Sequence, residues 1–194
     1  KPDILIAFFG FNESFNGPAG LENFRGELHA FIAHTRSQKY NGTSAPQLAL
    51  VSPTAFEDPS NDYERNIHSN LGLYTAAMEE IARTEKVTFV NCFVLSKSTF
   101  SPGKIPLTRD GILLNKDGYS YLQQHLIRCL FGIAAWNAPH DAVQAAVREK
   151  NWMWEKYYKI PNGVHVYGRR HRPFGPVNYP PELKKLEQLT ANRD

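Results

Sequence analysis

Asp3-Ile-Leu-Ile-Ala-Phe-Phe-Gly10-Phe11-Asn12-Glu13-Ser14 decides how the chain is read. Six consecutive apolar residues, Ile4 to Phe9, run into a glycine and then a polar cluster. A short unbroken apolar run bounded by a turn signal reads as a strand buried on both faces, the kind that parallel sheets contain. Gly10 lets the backbone turn sharply where the strand ends. Ligands of open α/β sheets bind in the crevice beyond the carboxyl ends of the strands, which is where Asn12 and Glu13 fall. Asn at such a place suits two roles, a turn or cap, or a ligand contact.

Working outward, apolar residues recur at helical spacing over Leu21, Phe24, Leu28, Phe31 and Ile32, predicting an amphipathic helix to about Gln38. Leu48 to Val51 is a second strand, stopped by Ser52-Pro53. A polar loop follows from Thr54 to Arg65, containing Glu57-Asp58-Pro59 and placed over the same crevice. Ile67, Leu71, Tyr74, Met78 and Ile81 mark a second helix, and Val87 to Val94 a third strand. Ser96 to Asn115 reads as mostly irregular, and Asn115 as the N-cap of a helix carrying Tyr119, Leu122, Leu126, Cys129 and Leu130. Strand and helix alternating through short loops predict βαβ units, hence a parallel sheet with right-handed crossovers. Three strand ends, at Gly10 to Asn12, Ser52-Pro53 and Asn91, are expected to open into one crevice, with the Asp110 loop returning there.

The division expected is a sheet domain over residues 1–135 and a helical or irregular extension over 136–194. The extension holds a helix from Asp141 to about Tyr158, a Gly/Pro/Arg-rich stretch from Pro161 to Pro181, and a short helix with Leu183, Leu186 and Leu189. The aromatic cluster Trp152, Trp154, Tyr157 and Tyr158 suits either an anchor that docks the extension on the core or a carbohydrate-stacking surface.

Composition narrows the function classes. The chain has 194 residues, 42% hydrophobic and 21% charged, with a net charge of +3 and pI near 8.8. That charge is too mild to imply a nucleic-acid partner, and the cluster Arg169-Arg170-His171-Arg172 reads as a solvated loop. No apolar run approaches the roughly 18 residues of a membrane span. The opening on Lys1 rather than Met reads as a processed, trimmed or truncated chain. Cys92, in a strand-like run, and Cys129, on an apolar helix face, read as buried free thiols, with a disulfide open in an oxidising compartment. His29 and His34, five apart on a helix, face different ways and share no metal. There is no Gly-x-Ser-x-Gly elbow, no Gly-rich phosphate loop and no HExxH motif, and no metal or cofactor is expected.

Two blocks carry a resemblance. Gly10-Phe-Asn12-Glu13 at a strand end resembles the Gly-x-Asn-Asp block of the SGNH/GDSL hydrolases. Asp110-Gly-Ile-Leu113-Leu-Asn115-Lys-Asp-Gly118-Tyr resembles their last block, usually Asp-Gly-Ile-His-Leu-Asn before a helix. The order, the separation of about 100 residues and the strand context agree with that family. More narrowly, the run through Asn41-Gly-Thr-Ser-Ala-Pro46 to Ser52-Pro53, and the ending Leu189-Thr-Ala-Asn-Arg-Asp194, is similar to the SGNH domain of large secreted planctomycete proteins. Those proteins carry further modules downstream, often haem-binding.

The resemblance implies a three-layer α/β/α fold with a parallel sheet, SGNH/flavodoxin-like, and a carboxylic ester hydrolase acting on small acyl esters such as O-acetyl groups of polysaccharide. By that resemblance Asn12 would donate to the oxyanion, Gly10 would let backbone approach the substrate, Glu13 would stand for the usual Asp, and Asp110 would orient the general-base imidazole. The nucleophilic Ser, the second oxyanion glycine and the first strand belong to blocks before Lys1, so the sheet is expected to be incomplete at its N-terminus. The location implied is extracytoplasmic. Leu113 stands where the family has its catalytic histidine. Leucine accepts no proton, so an unassisted serine hydroxyl would stay protonated. The alternative is a catalytically inactive carbohydrate-binding or scaffolding domain of a multi-domain secreted protein.

Overall fold

The computed structural model describes residues 2–100, 105–133, 141–159, 163–166 and 171–193. The chain divides into two compact units, Lys1–Trp136 and Asn137–Asp194.

In the first unit, β1 (Ile4–Phe8) leads through a one-turn helix α1 (Phe11–Ser14) into α2 (Leu21–Ser37), then β2 (Gln47–Val51), α3 (Asp62–Glu85) and β3 (Thr88–Val90). The strands are parallel in the order β1-β2-β3, with Leu5 beside Leu48 and Leu50 beside Phe89. Because the strands advance in one direction, right-handed crossovers put α2 and α3 on the same face. There Phe24, Leu28 and Ile32 of α2 and Tyr74, Met78 and Ile81 of α3 bury Leu50 of β2. Helix α4 (Cys92–Thr99) follows β3, and α5 (Lys116–Phe131) closes the opposite face, its Leu122, Leu126 and Leu130 packing on Val51, Val90 and Cys92. The helix, sheet and helix layers are the α/β/α architecture expected.

Several expected boundaries move. The third strand ends at Val90 rather than Val94, because the Asn91 side chain accepts from Val94 N (2.9 Å) and starts α4. Cys92 is therefore the first residue of a helix, and the stretch expected to be irregular from Ser96 is helical to Thr99. The loop expected to run to Arg65 ends earlier, since Asn61 caps α3 through Glu64 N (3.0 Å). Cys129 is exposed on α5 instead of buried.

β1 departs most from expectation. Its side chains alternate between half-buried and exposed, with Ile4, Ile6 and Phe8 exposed at 46%, 40% and 60%. It lies at the edge of the described sheet, and α5 packs over β2 and β3 only. Asp3 O accepts from Gln47 N (2.8 Å) and Phe9 N donates to Val51 O (3.4 Å). By the alternation of parallel pairing, the backbone groups of Ile4, Ile6 and Phe8 point outward. An apolar, uncharged edge of this kind is a template for strand addition. The 194-residue chain is therefore expected to self-associate with rising concentration, and Ile6→Lys to suppress this. Sedimentation velocity showing a monomer throughout would contradict it.

The second unit holds α6 (Asp141–Tyr158), α7 (Gly163–Val166) and α8 (His171–Ala191). The stretch expected to be irregular from Pro161 to Pro181 is thus largely helical where it is described, although four prolines of α8 supply no amide donor. Met153 of α6 is buried, and Glu149 pairs with Arg193 (2.6 Å). Trp154 stacks on Tyr158 at 5.6 Å between centroids and meets Tyr157 edge-on at 5.4 Å. Arg169 and Arg170 lie outside the described residues.

Candidate active-site crevice

Beyond the carboxyl ends of the three strands lies a cavity of about 410 Å³. The β1 end and α1 supply Phe8, Phe9, Phe11, Asn12 and Glu13 to its lining, and the β2 end supplies Ser52, Pro53 and Thr54. Cys92 comes from the β3 end, Ile112, Leu113 and Leu114 from the returning loop, and Tyr119 and Leu122 from α5. The structure therefore brings Asn12, Glu13 and Leu113 together. Asn91 is not among the lining residues, its side chain being spent on Val94 N and Glu79.

Gly10 makes the turn that aims Asn12. Its φ is +93°, a left-handed conformation costly for other residues, and an added Cβ would sit 3.0 Å from Met78 Sδ and 3.3 Å from Pro53 Cδ. Its N–H donates to Glu13 Oε2 (2.9 Å), so Glu13 braces the turn with one oxygen while lining the cavity. The Asn12 side-chain amide lines the cavity and has no hydrogen-bond partner among the described residues.

The second block forms a tight loop. Thr108 and Leu114 make an antiparallel bridge, Arg109 N donates to Leu113 O (2.8 Å), and Asn115 N to Leu107 O (2.9 Å). Asp110 Oδ1 accepts from Leu113 N (2.7 Å) and Ile112 N (3.1 Å). Asp110 itself is not among the lining residues, and Leu113 is 60% exposed at the cavity. The Leu113 and Ile112 amides hold the Asp110 carboxyl below the usual aspartate range. A lowered folded-state pKa contributes stability above the unfolded value and loses it as pH falls through the folded one. An NMR titration is expected to show the Asp110 carboxyl and the Ile112 and Leu113 amides shifting together below the ordinary aspartate midpoint. An ordinary midpoint would mean that the turn is not formed.

Two residues that sequence reasoning did not single out hold this loop. The Glu57 carboxylate accepts from Leu107 N (2.9 Å), Thr108 N (2.7 Å) and the Thr108 hydroxyl, while Glu57 N donates to Gly111 O (2.7 Å). The Phe56 ring packs where a Cβ on Gly111 would be, and Gly111 has φ +88°. Partners some 50 residues apart leave no local pattern by which to find them.

Nucleophiles and bases facing the cavity are few among the described residues. The Ser52 hydroxyl donates to Pro53 O (3.1 Å) and accepts from Phe93 N (3.1 Å). Burial, with a smaller contribution from Cys129, pushes the Cys92 thiol up to about 12, so it is no thiolate near neutral pH. His125 lies 3.5 Å from Cys129 Sγ through Nε2 and does not line the cavity. No group of three or more His, Cys, Asp or Glu positioned for a metal occurs among the described residues.

Among solved structures the chain is similar to a mutant of the acetyl-xylooligosaccharide esterase Axe2 from Geobacillus stearothermophilus, with a TM-score of 0.54 and 16% identity over 72% of this chain. A catalytic mutant of the same acetylxylan esterase matches with a TM-score of 0.54 and 15% identity over 71% of this chain. The likeness is one of fold, the helix, sheet and helix layers being shared with these esterase chains. The chain spans 64% and 63% of the length of these esterase chains. No family model matches the sequence, and no curated protein does. In this chain the crevice lies at the carboxyl ends of the strands, where the two sequence blocks meet. No helix among the described residues is long and apolar enough to cross a membrane.

Proposed function

We propose that the crevice is the ester-binding site of a carboxylic ester hydrolase-type domain, and that with Leu113 at the base position the described residues bind an ester without cleaving it. The observation carrying this reading is the exposed Leu113 side chain lining the same cavity as the unpaired Asn12 amide. Asn12 donates to the ester carbonyl oxygen. Gly10 and Glu13 hold it in place, and Asp110, the residue that would orient an imidazole, shapes the turn that presents Leu113.

A second reading has specific support. Asn12 and Asp110 keep their places in the two blocks and the structural neighbours are esterases, which favours an active enzyme whose serine and base come from polypeptide outside these residues. Acetylated polysaccharide as substrate, an extracytoplasmic location and further domains on the same polypeptide belong to this proposal and rest on resemblance.

The test is p-nitrophenyl acetate hydrolysis by the full polypeptide, its Leu113→His variant, and Asn12→Ala in each. The binding reading expects turnover only with His at position 113, falling 10²- to 10³-fold on Asn12→Ala as for loss of one oxyanion donor. Turnover with Leu113 in place would establish the second reading. Turnover unchanged by Asn12→Ala would remove that residue from the site.

A further inference from the structure

The chemistry of the cavity wall says more about the ligand than the motif residues do. Apolar side chains from every wall face the space, among them Phe8, Phe11, Leu113, Tyr119 and Leu122. Phe8 and Leu113 remain more than half exposed there, and Tyr119 is exposed on α5. Of the polar groups, the Ser52 hydroxyl is already bonded on both sides and one Glu13 oxygen braces Gly10, while the Asn12 amide and the Thr54 and Tyr119 hydroxyls have no partner among the described residues. These few polar groups are set among a larger apolar surface, so an alkyl group is buried there at less desolvation cost than a run of sugar hydroxyls.

Charge narrows the ligand again. Among the described residues, the one carboxylate lining the cavity is Glu13, and no Lys or Arg lines it. A carboxylate ligand would face a like charge without a counter-ion. Size gives the third constraint. About 410 Å³ falls within the range of cavities that enclose ligands of drug size, some 300–1,000 Å³, and a two-carbon acetyl group would leave most of the apolar wall wet.

Resting on the ester-binding reading above, we propose that this cavity takes the acyl part of a neutral ester carrying a medium-length alkyl chain, its carbonyl at Asn12 and its alkyl tail against Phe8, Leu113, Tyr119 and Leu122. The carrier of the ester lies outside the cavity and is not constrained by it.

The test is isothermal titration of the 194-residue chain with methyl acetate, butanoate, hexanoate and octanoate, beside sodium octanoate and 1-octanol. Affinity is expected to rise about fourfold per buried methylene, with the octanoate anion at least about tenfold weaker than its methyl ester, the size of a 1.4 kcal/mol difference. Leu113→Asp, at an exposed position, is expected to abolish the chain-length dependence. Tyr119→Ser gives a second reading of the same wall if that variant does not fold. A flat series from acetate to octanoate overturns the proposal, and if Asn12→Ala still weakens the methyl esters, the ester reading survives alone. A steep series matched by 1-octanol and indifferent to Asn12→Ala supports the alkyl slot and overturns the ester reading.

Discussion

Gly118→Ala is expected to lower the melting temperature of the sheet unit by roughly 10 °C, corresponding to about 3 kcal/mol. Gly118 lies in the first turn of α5, where its N–H donates to Asn115 Oδ1 (3.0 Å). On helix propensity alone, alanine would stabilise that turn by about 1 kcal/mol. Packing decides the sign. A Cβ at position 118 would overlap the Leu107 carbonyl oxygen and come within 3.0 Å of Leu114 Cδ2. The Leu107 carbonyl cannot retreat freely, because it accepts from Asn115 N and its own residue is tied to Glu57. The helix start or the loop must shift, and both shape the crevice. Thermal unfolding followed by circular dichroism checks this. A melting temperature unchanged or raised would mean that α5 is not seated on Leu107.

Glu57→Ala should have a comparable effect by a different route. Removing the carboxylate strands the Leu107 and Thr108 amides and the Thr108 hydroxyl at a half-buried place. Hydrogen bonds to a charged acceptor contribute about 1.5–3 kcal/mol each, and stranded donors keep their desolvation cost. A net loss of about 3 kcal/mol is expected, with Glu57→Gln retaining part because its amide oxygen still accepts. Hydrogen exchange separates this from general destabilisation, since amides 107–114 should lose protection before those of α3. Ester affinity should fall as the Ile112 to Leu114 wall loosens. Uniform loss of protection across the unit would make Glu57 an ordinary stability residue instead of the anchor of the loop.

The reading of the two blocks depended on short patterns whose meaning is local. Gly10 is needed because its φ is left-handed, and Asn115 because its side chain satisfies the amides of Asp117 and Gly118 at the start of α5. Such requirements lie within a few residues of the side chain that meets them. Helical periodicity located α2 and α3 for the same reason, since each buried stripe, with Leu28 and Ile32 on α2 and Leu71 and Met78 on α3, repeats within its own segment. The end of β3 was harder to read. Val90, Cys92, Phe93 and Val94 form a nearly continuous apolar run, and periodicity does not separate a buried strand from a buried helix over so short a span. Asn91 settles it through its cap on Val94.

A parallel α/β sheet, a sharp turn at Gly10 presenting Asn12 and an Asp-Gly loop leading into a capped helix were all legible in the chain as written. Only packing settled that β1 has one exposed face, that Glu57 holds a loop some 50 residues away, and that Leu113 rather than Asp110 lines the cavity with Asn12. Caps, turns and periodic stripes are properties of neighbouring residues, and the chain carries them openly. Which side chains meet across the crevice depends on how the helices pack on the sheet, and residues distant in sequence meet there without any mark in either segment.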